Sequence, residues 1–155
     1  MNTITVNDKR EFNRIIENNT RILISTHLNA DGDAIGSTVA MGLILRKLGK
    51  EVNIIIPNDY PHFLKWINGT DLIIIFNRNK KKVKSLLKEA GHILYIDFND
   101  PGRLGEAEKA FKDSGKPSLL IDHHPDPPVF ADYLISRPEL GSAAELVYYL
   151  FISCG

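Results

Sequence analysis

Several features are scarce in this chain, and each scarcity excludes something. Of 155 residues only one is cysteine, Cys154. An internal disulfide is therefore excluded, and no thiol stands in mid-chain for a metal site or a nucleophile. No apolar run approaches the roughly 20 residues that a membrane-crossing helix needs. Met1 to Arg10 contains no apolar signal core. Neither sign of charge is in excess, since 19 Lys and Arg stand against 19 Asp and Glu. A zero balance gives no broad attraction to a polyanion or an anionic membrane, so any phosphate recognition must be local. A cytoplasmic protein without a membrane partner is expected.

What is present is an alternation of short apolar runs and amphipathic stretches, in a length suited to one domain with a substantial core. A helix is expected over Asp8–Glu17 with Asn7 as its cap, and Phe12, Ile15 and Ile16 share a face. Ile22-Leu23-Ile24 reads as a buried strand and Ala34 to Leu48 as a helix stopped by Gly49. Strands follow at Val52–Ile56, Leu72–Phe76, His92–Asp97 and Ser118–Ile121. Tyr60–Ile67 is expected to be a short helix or turn that carries Trp66 into the core. The lysine-rich stretch from Lys80 reads as the wet face of a helix that turns Val83, Leu86 and Leu87 to the sheet and ends at Gly91. Further helices are expected at Glu106–Lys112 and, entered through Ser142, at Gly141–Phe151. The pattern predicts an α/β fold, a mostly parallel sheet with helices on both faces.

The residues that carry chemistry stand at strand ends. His27, Asp31 and Asp33 lie between the first buried strand and its helix, Asp97 closes a second strand, and Asp122-His123-His124 closes a third. In a parallel sheet these ends share one edge, where open α/β sheets place their ligands. Imidazoles and carboxylates together suit manganese or a similar ion, and Gly32 is expected to permit a tight backbone between Asp31 and Asp33. Two cations about 4 Å apart can activate a nucleophile and neutralise a phosphoryl group, and a carboxylate must hold them close. Asp97, at a middle strand end, is placed for that. A competing reading makes Asp31 and Asp33 plain helix caps. An ordinary dinucleotide-binding sheet is disfavoured, because the first strand-to-helix turn carries aspartates where a pyrophosphate wants glycines. Arg103 and Arg137 are weighed as phosphate contacts and read first as structural.

His27-Leu28-Asn29-Ala30-Asp31-Gly32-Asp33-Ala34-Ile35-Gly36-Ser37, Asp97, Asp122-His123-His124 and Gly141-Ser142-Ala143-Ala144-Glu145 resemble, in order and separation, the successive motifs of the DHH phosphoesterase superfamily. The resemblance implies a two-metal hydrolase using Mn²⁺, with His27, Asp31 and Asp97 on one ion and Asp33, Asp97 and His123 on the other. It further implies that His124 meets the substrate phosphate and that Asp122 fixes the His123 ring. Asp97-Phe98-Asn99-Asp100 looks most like the branch of short-oligoribonucleotide exonucleases that dephosphorylate 3′-phosphoadenosine 5′-phosphate. The implied partner is a nucleotide or short single-stranded oligonucleotide, and a homodimer is a possible assembly.

Two departures stand out. Ala30 replaces the proline that usually precedes the first aspartate. The family's later metal-binding aspartate and smaller carboxyl-terminal domain have no counterpart before Gly155. The chain is therefore expected to be a metal-binding domain over residues 1–155, truncated at its carboxyl end, folded but nearly inactive alone. The alternatives are a nucleotide-binding or regulatory module without turnover and a cyclic-dinucleotide phosphodiesterase.

Overall fold

The structure, a computed structural model, describes residues 3–126 and 129–154. Helix α1 (Val6–Asn18) opens it, followed by β1 (Arg21–Ser25), α2 (Gly32–Lys47), β2 (Glu51–Ile56), β3 (Ile73–Ile75), α3 (Lys80–Glu89), β4 (His92–Ile96), α4 (Glu108–Ser114), β5 (Ser118–Asp122), β6 (Tyr133–Ser136) and α5 (Ala143–Cys154). All six strands are parallel, in the order β3-β2-β1-β4-β5-β6. Among the described residues no helix is long and apolar enough to cross a membrane.

Both faces of the sheet are covered, so the central strands are apolar at nearly every position. Ile22 and Ile24 of β1, with Ile54, Leu94, Leu119 and Ile135, pack under α1, α2 and α5. Leu23, Ile55, Ile93, Tyr95 and Leu120 face the other way, against Val83 and Leu87 of α3 and Phe111 of α4. The lysines of α3 are exposed, as the wet-face reading requires. Adjacent β1 and β4 leave the sheet toward opposite sides, so the edge between their carboxyl ends is the switch point of the topology.

The fold corrects several local expectations. Helix α1 is capped by Thr5 rather than Asn7: the Thr5 hydroxyl accepts from the Asp8 amide while the Asp8 carboxylate accepts from Thr5 N–H, a reciprocal box. Trp66 does not enter the core. It is 81% exposed, and Leu64, two residues earlier, is the side chain that goes inside. The third strand is only Ile73–Ile75, because Thr70–Leu72 and Phe76–Arg78 tighten into 3-10 turns on either side of it. A 3-10 segment Pro101–Ala107, kinked at Gly105 (φ 54°), precedes α4, where one helix from Glu106 was expected. Helix α3 does stop before Gly91, where a Cβ would stand 2.4 Å from Asn19 Oδ1. Strand β6 was not anticipated. Tyr133-Leu134-Ile135-Ser136 is a short edge strand with only Ile135 fully inside, so it lacks the continuous apolar run of its neighbours.

Candidate metal centre

The loop from β1 to α2 is braced from both sides before it presents any ligand. Leu28 N–H donates to the Arg103 carbonyl at 2.7 Å. Asn29 and Asn58 pair mutually, Asn29 N–H to Asn58 Oδ1 and Asn58 Nδ2 to Asn29 Oδ1, each at 2.8 Å. The left-handed residue here is Asn29 (φ 54°), not Gly32, which simply opens α2. Asparagine is among the side chains that tolerate this conformation. Asp31 caps α2, its Oδ1 accepting from Ala34 N–H at 2.9 Å. That bond uses one oxygen of the carboxylate and leaves the other for a second task. Capping and ligation are thus compatible at this position.

Asp97 sits at the centre. It is 2% exposed and itself left-handed at φ 69°, a placement that costs about 1–3 kcal/mol and persists only where the surroundings impose it. Its Oδ2 lies 3.7 Å from His27 Nε2, while Oδ1 lies 3.4 Å from His123 Nε2 and 3.9 Å from His124 Nδ1. His27, Asp31 and Asp97 form one group with donor atoms within 4.8 Å of each other, and Asp97, His123 and His124 form a second. Asp97 is common to both. Asp33 lies beside the second group, its Oδ2 3.5 Å from His123 Nε2.

The tautomers follow from what holds each ring. His27 Nδ1 is 2.8 Å from the Leu28 carbonyl and His123 Nδ1 is 3.3 Å from the Leu140 carbonyl. A carbonyl only accepts, so each Nδ1 is the protonated nitrogen and each Nε2 of the neutral ring aims a lone pair at Asp97. Lone pairs facing carboxylate oxygens at such distances repel unless a cation or a proton lies between them. The orphaned atoms point the same way. Among the described residues, Asp97 Oδ1, Asp122 Oδ2 and Thr26 Oγ1 are buried at strand ends without a hydrogen-bond partner, and a fourth such atom, His92 Nε2, lies at the opposite end of β4. Burial pushes the Asp97 carboxyl above its ordinary range, an effect the His27 ring opposes and the Asp33 and Asp31 charges reinforce. For His27, burial lowers the pKa, yet the Asp97 carboxylate and the Leu28 carbonyl overcome it and the net direction is up. The donor set, imidazole nitrogens with carboxylate oxygens, fits a divalent ion of the manganese or zinc type.

One assignment has to be reversed. Asp122 Oδ1 accepts from His124 Nδ1 at 2.8 Å, so Asp122 orients His124 and not His123. The His123 ring is held instead by the Leu140 carbonyl, a backbone group that no side-chain motif announces. Among the described residues nothing bonds His124 Nε2. Arg137 is structural, bound to Asp8, the Thr3 carbonyl and the Ser136 carbonyl. Arg103 serves the site through its carbonyl, and its charge opposes protonation of His27. A further element was not expected: both Asp33 oxygens accept backbone amides from the start of α5, Ala143 N–H at 2.7 Å and Ala144 N–H at 2.9 Å. The glycine-serine-alanine motif before α5 therefore closes on the metal edge.

A parallel α/β sheet carrying paired imidazoles about a shared carboxylate at its switch point defines an α/β domain with two side-chain groups that could hold a metal ion. The chain belongs to the DHH family, whose N-terminal domain matches residues 21–153. Among curated relatives, the bifunctional oligoribonuclease and PAP phosphatase NrnA of Thermus thermophilus is 28% identical over 127 residues, 81% of this chain and 35% of that protein. NrnA of Bacillus subtilis strain 168 is 25% identical over 144 residues, 93% of this chain and 42% of that protein. The chain thus spans less than half the length of the curated relatives it matches. A solved exopolyphosphatase-related protein from Bacteroides fragilis is similar over 100% of this chain and 46% of its own, with a TM-score of 0.97 and 35% identity. RecJ of Thermus thermophilus, solved in complex with Mn²⁺, shares the fold at a TM-score of 0.54 and 17% identity, over 94% of this chain and 20% of its own.

Proposed function

We propose that this chain is the metal-binding domain of a phosphoesterase acting on nucleotides or short single-stranded oligonucleotides, with two Mn²⁺ ions. The observation that carries the reading is the shared carboxylate: Asp97 offers one oxygen to His27 and the other to His123. His27, Asp31 and Asp97 would hold one ion, and Asp33, Asp97 and His123 the other. Such ions supply charge neutralisation at a phosphoryl group and acidify the attacking water. The likeness to NrnA, named as an oligoribonuclease and PAP phosphatase, supports the substrate class.

The chain's own groups have separable tasks. Leu28 and Leu140 carbonyls fix the tautomers of His27 and His123, so that Nε2 of each is the ligating nitrogen. Asp122 does the same for His124, whose free Nε2 is the group that meets the phosphate. The Asp122 carboxylate is fully buried, so the ring it holds at 2.8 Å has a fixed orientation from which to offer Nε2 to a phosphate oxygen. Calorimetric titration with MnCl₂ tests the metal assignment. Two sites, both lost or weakened in Asp97→Ala, are expected, and an unchanged isotherm would refute the shared carboxylate. Release of mononucleotides from a dinucleotide in Mn²⁺, abolished by EDTA, tests the activity.

A further inference from the structure

The segment between β2 and β3 holds two large aromatic side chains in water. Phe63 is 74% and Trp66 81% exposed, whereas Leu64 between them is 6% exposed. The backbone that carries them is braced. Leu64 N–H donates to the Pro61 carbonyl, Lys65 N–H to His62 and Ile67 N–H to Leu64, at 3.0–3.1 Å. The segment is also fastened to the metal loop in two places. Asn58 pairs with Asn29, and Leu64 Cδ2 lies 4.0 Å from the position a Cβ would take on Gly32, the residue between Asp31 and Asp33.

The two rings are therefore carried by a turn that follows the carboxyl end of β2 and is anchored to the loop that supplies two of the carboxylates. A requirement for folding alone would bury such rings, each with a large apolar area, or replace them with polar residues. Beside a phosphate-ester site, exposed aromatic faces have a ready chemical partner. Every nucleobase has a π-face, and stacking on aromatic side chains holds single-stranded nucleic acid with little regard to sequence. Lys65, exposed between the rings, adds a cation for a neighbouring phosphate.

We infer that Phe63 and Trp66 form a stacking platform for a base of the nucleotide or short single strand whose phosphate lies at the metal edge. The inference rests on the phosphoesterase reading above and assigns where that substrate's base goes. Trp66 is the only tryptophan in the chain, so its emission reports on the platform directly. The chain is titrated, in MnCl₂, with a dinucleotide made resistant by a phosphorothioate linkage and, separately, with ribose 5-phosphate, which has a phosphate and no base. The dinucleotide is expected to quench the emission saturably, and ribose 5-phosphate is expected to leave it unaltered. Trp66→Ala is expected to weaken dinucleotide binding, followed calorimetrically, by about 5- to 150-fold, and Trp66→Phe to restore most of it. Its exposed position lets the variant fold, which far-ultraviolet circular dichroism verifies.

Dinucleotide binding by calorimetry with unaltered emission, and with Trp66→Ala equal to wild type, would overturn the platform while leaving the phosphoesterase reading intact. Emission that follows protein concentration but not the dinucleotide, with a dimer in sedimentation, would overturn it in favour of a contact between copies. If neither compound bound although Mn²⁺ did, both readings would fall together and the metal assignment would survive.

Discussion

Replacing Asp97 by asparagine is expected to move the stability of the metal-free and the metal-loaded protein in opposite directions. The carboxylate is buried, one oxygen lacks any hydrogen bond, and Asp31 and Asp33 press on it with like charge. Asparagine has nearly the same shape and no charge. It also tolerates the φ of 69° that Asp97 adopts, so the change isolates the charge from the backbone. An unsatisfied buried polar group costs about 1–3 kcal/mol, more when charged. For a domain of this size that corresponds to a rise of about 3–9 °C in the melting temperature of the EDTA-treated variant. With free Mn²⁺ a hundredfold above Kd, the wild type should gain about 2.7 kcal/mol. The variant should gain nearly nothing, because a neutral amide oxygen replaces the ligand common to both groups. Scanning calorimetry in EDTA and in MnCl₂, at mildly alkaline pH to favour the ionised carboxylate, reads both effects. A variant less stable than wild type in EDTA, or one that Mn²⁺ stabilises equally, would refute the reasoning.

His124→Ala is expected to keep both Mn²⁺ sites and to weaken binding of inorganic phosphate by about tenfold, the worth of one charge-assisted hydrogen bond; loss of an ion in the calorimetric isotherm would refute the division of labour between His123 and His124. Mn²⁺ affinity should fall on acidification, because a ligand imidazole must be neutral, and His27, whose pKa is raised, begins to compete above the ordinary value of about 6.5. In the metal-free protein the sign is reversed: the contribution of protonated His27 is present below that ordinary value and lost as pH rises through the raised one, which melting temperatures in EDTA across mildly acidic to alkaline pH would record. Arg137→Ala should destabilise the fold by about 1.5–3 kcal/mol, the worth of a hydrogen bond to a charged group, because it removes the cation beside Asp8, whose side chain is 6% exposed and keeps, among the described residues, only its bonds from Thr5 and Tyr133. Its Mn²⁺ isotherm should match that of the wild type.

Much of the architecture was legible in the sequence because both faces of the sheet are covered. Continuous apolar runs such as Ile22–Ile24 and Ile93–Ile96 can only be buried strands when helical stretches alternate with them. Strand β6 escaped because an edge strand needs to bury only one residue in four. The error at Trp66 has a similar origin. Hydrophobic size says that a ring prefers burial, but Leu64 fills the place beside Gly32 and the turn leaves its neighbours outside. At the candidate metal centre, the side chains that the fold brings together were visible in the sequence and the backbone groups that hold them were not. The Leu140 carbonyl, the Arg103 carbonyl and the Ala143 and Ala144 amides act through the backbone, which every residue type supplies. Asp122 illustrates the limit from the other side: its role as a ring holder was legible, yet which adjacent imidazole it holds depends on a single rotation of the chain at a strand end.

Asp33 faces a constraint that no other residue of the edge shares. Its two oxygens close the first turn of α5 while one of them also lies beside His123. A histidine at position 33 could still donate to a metal ion, but it would present a lone pair to one amide at most and leave the other bare. Glutamate could reach the amides only by pushing α5 outward by the length of a methylene. Position 33 and the start of α5 must therefore vary as a unit. The cap at position 31 needs one oxygen, which a serine or asparagine could also supply, whereas position 33 needs two.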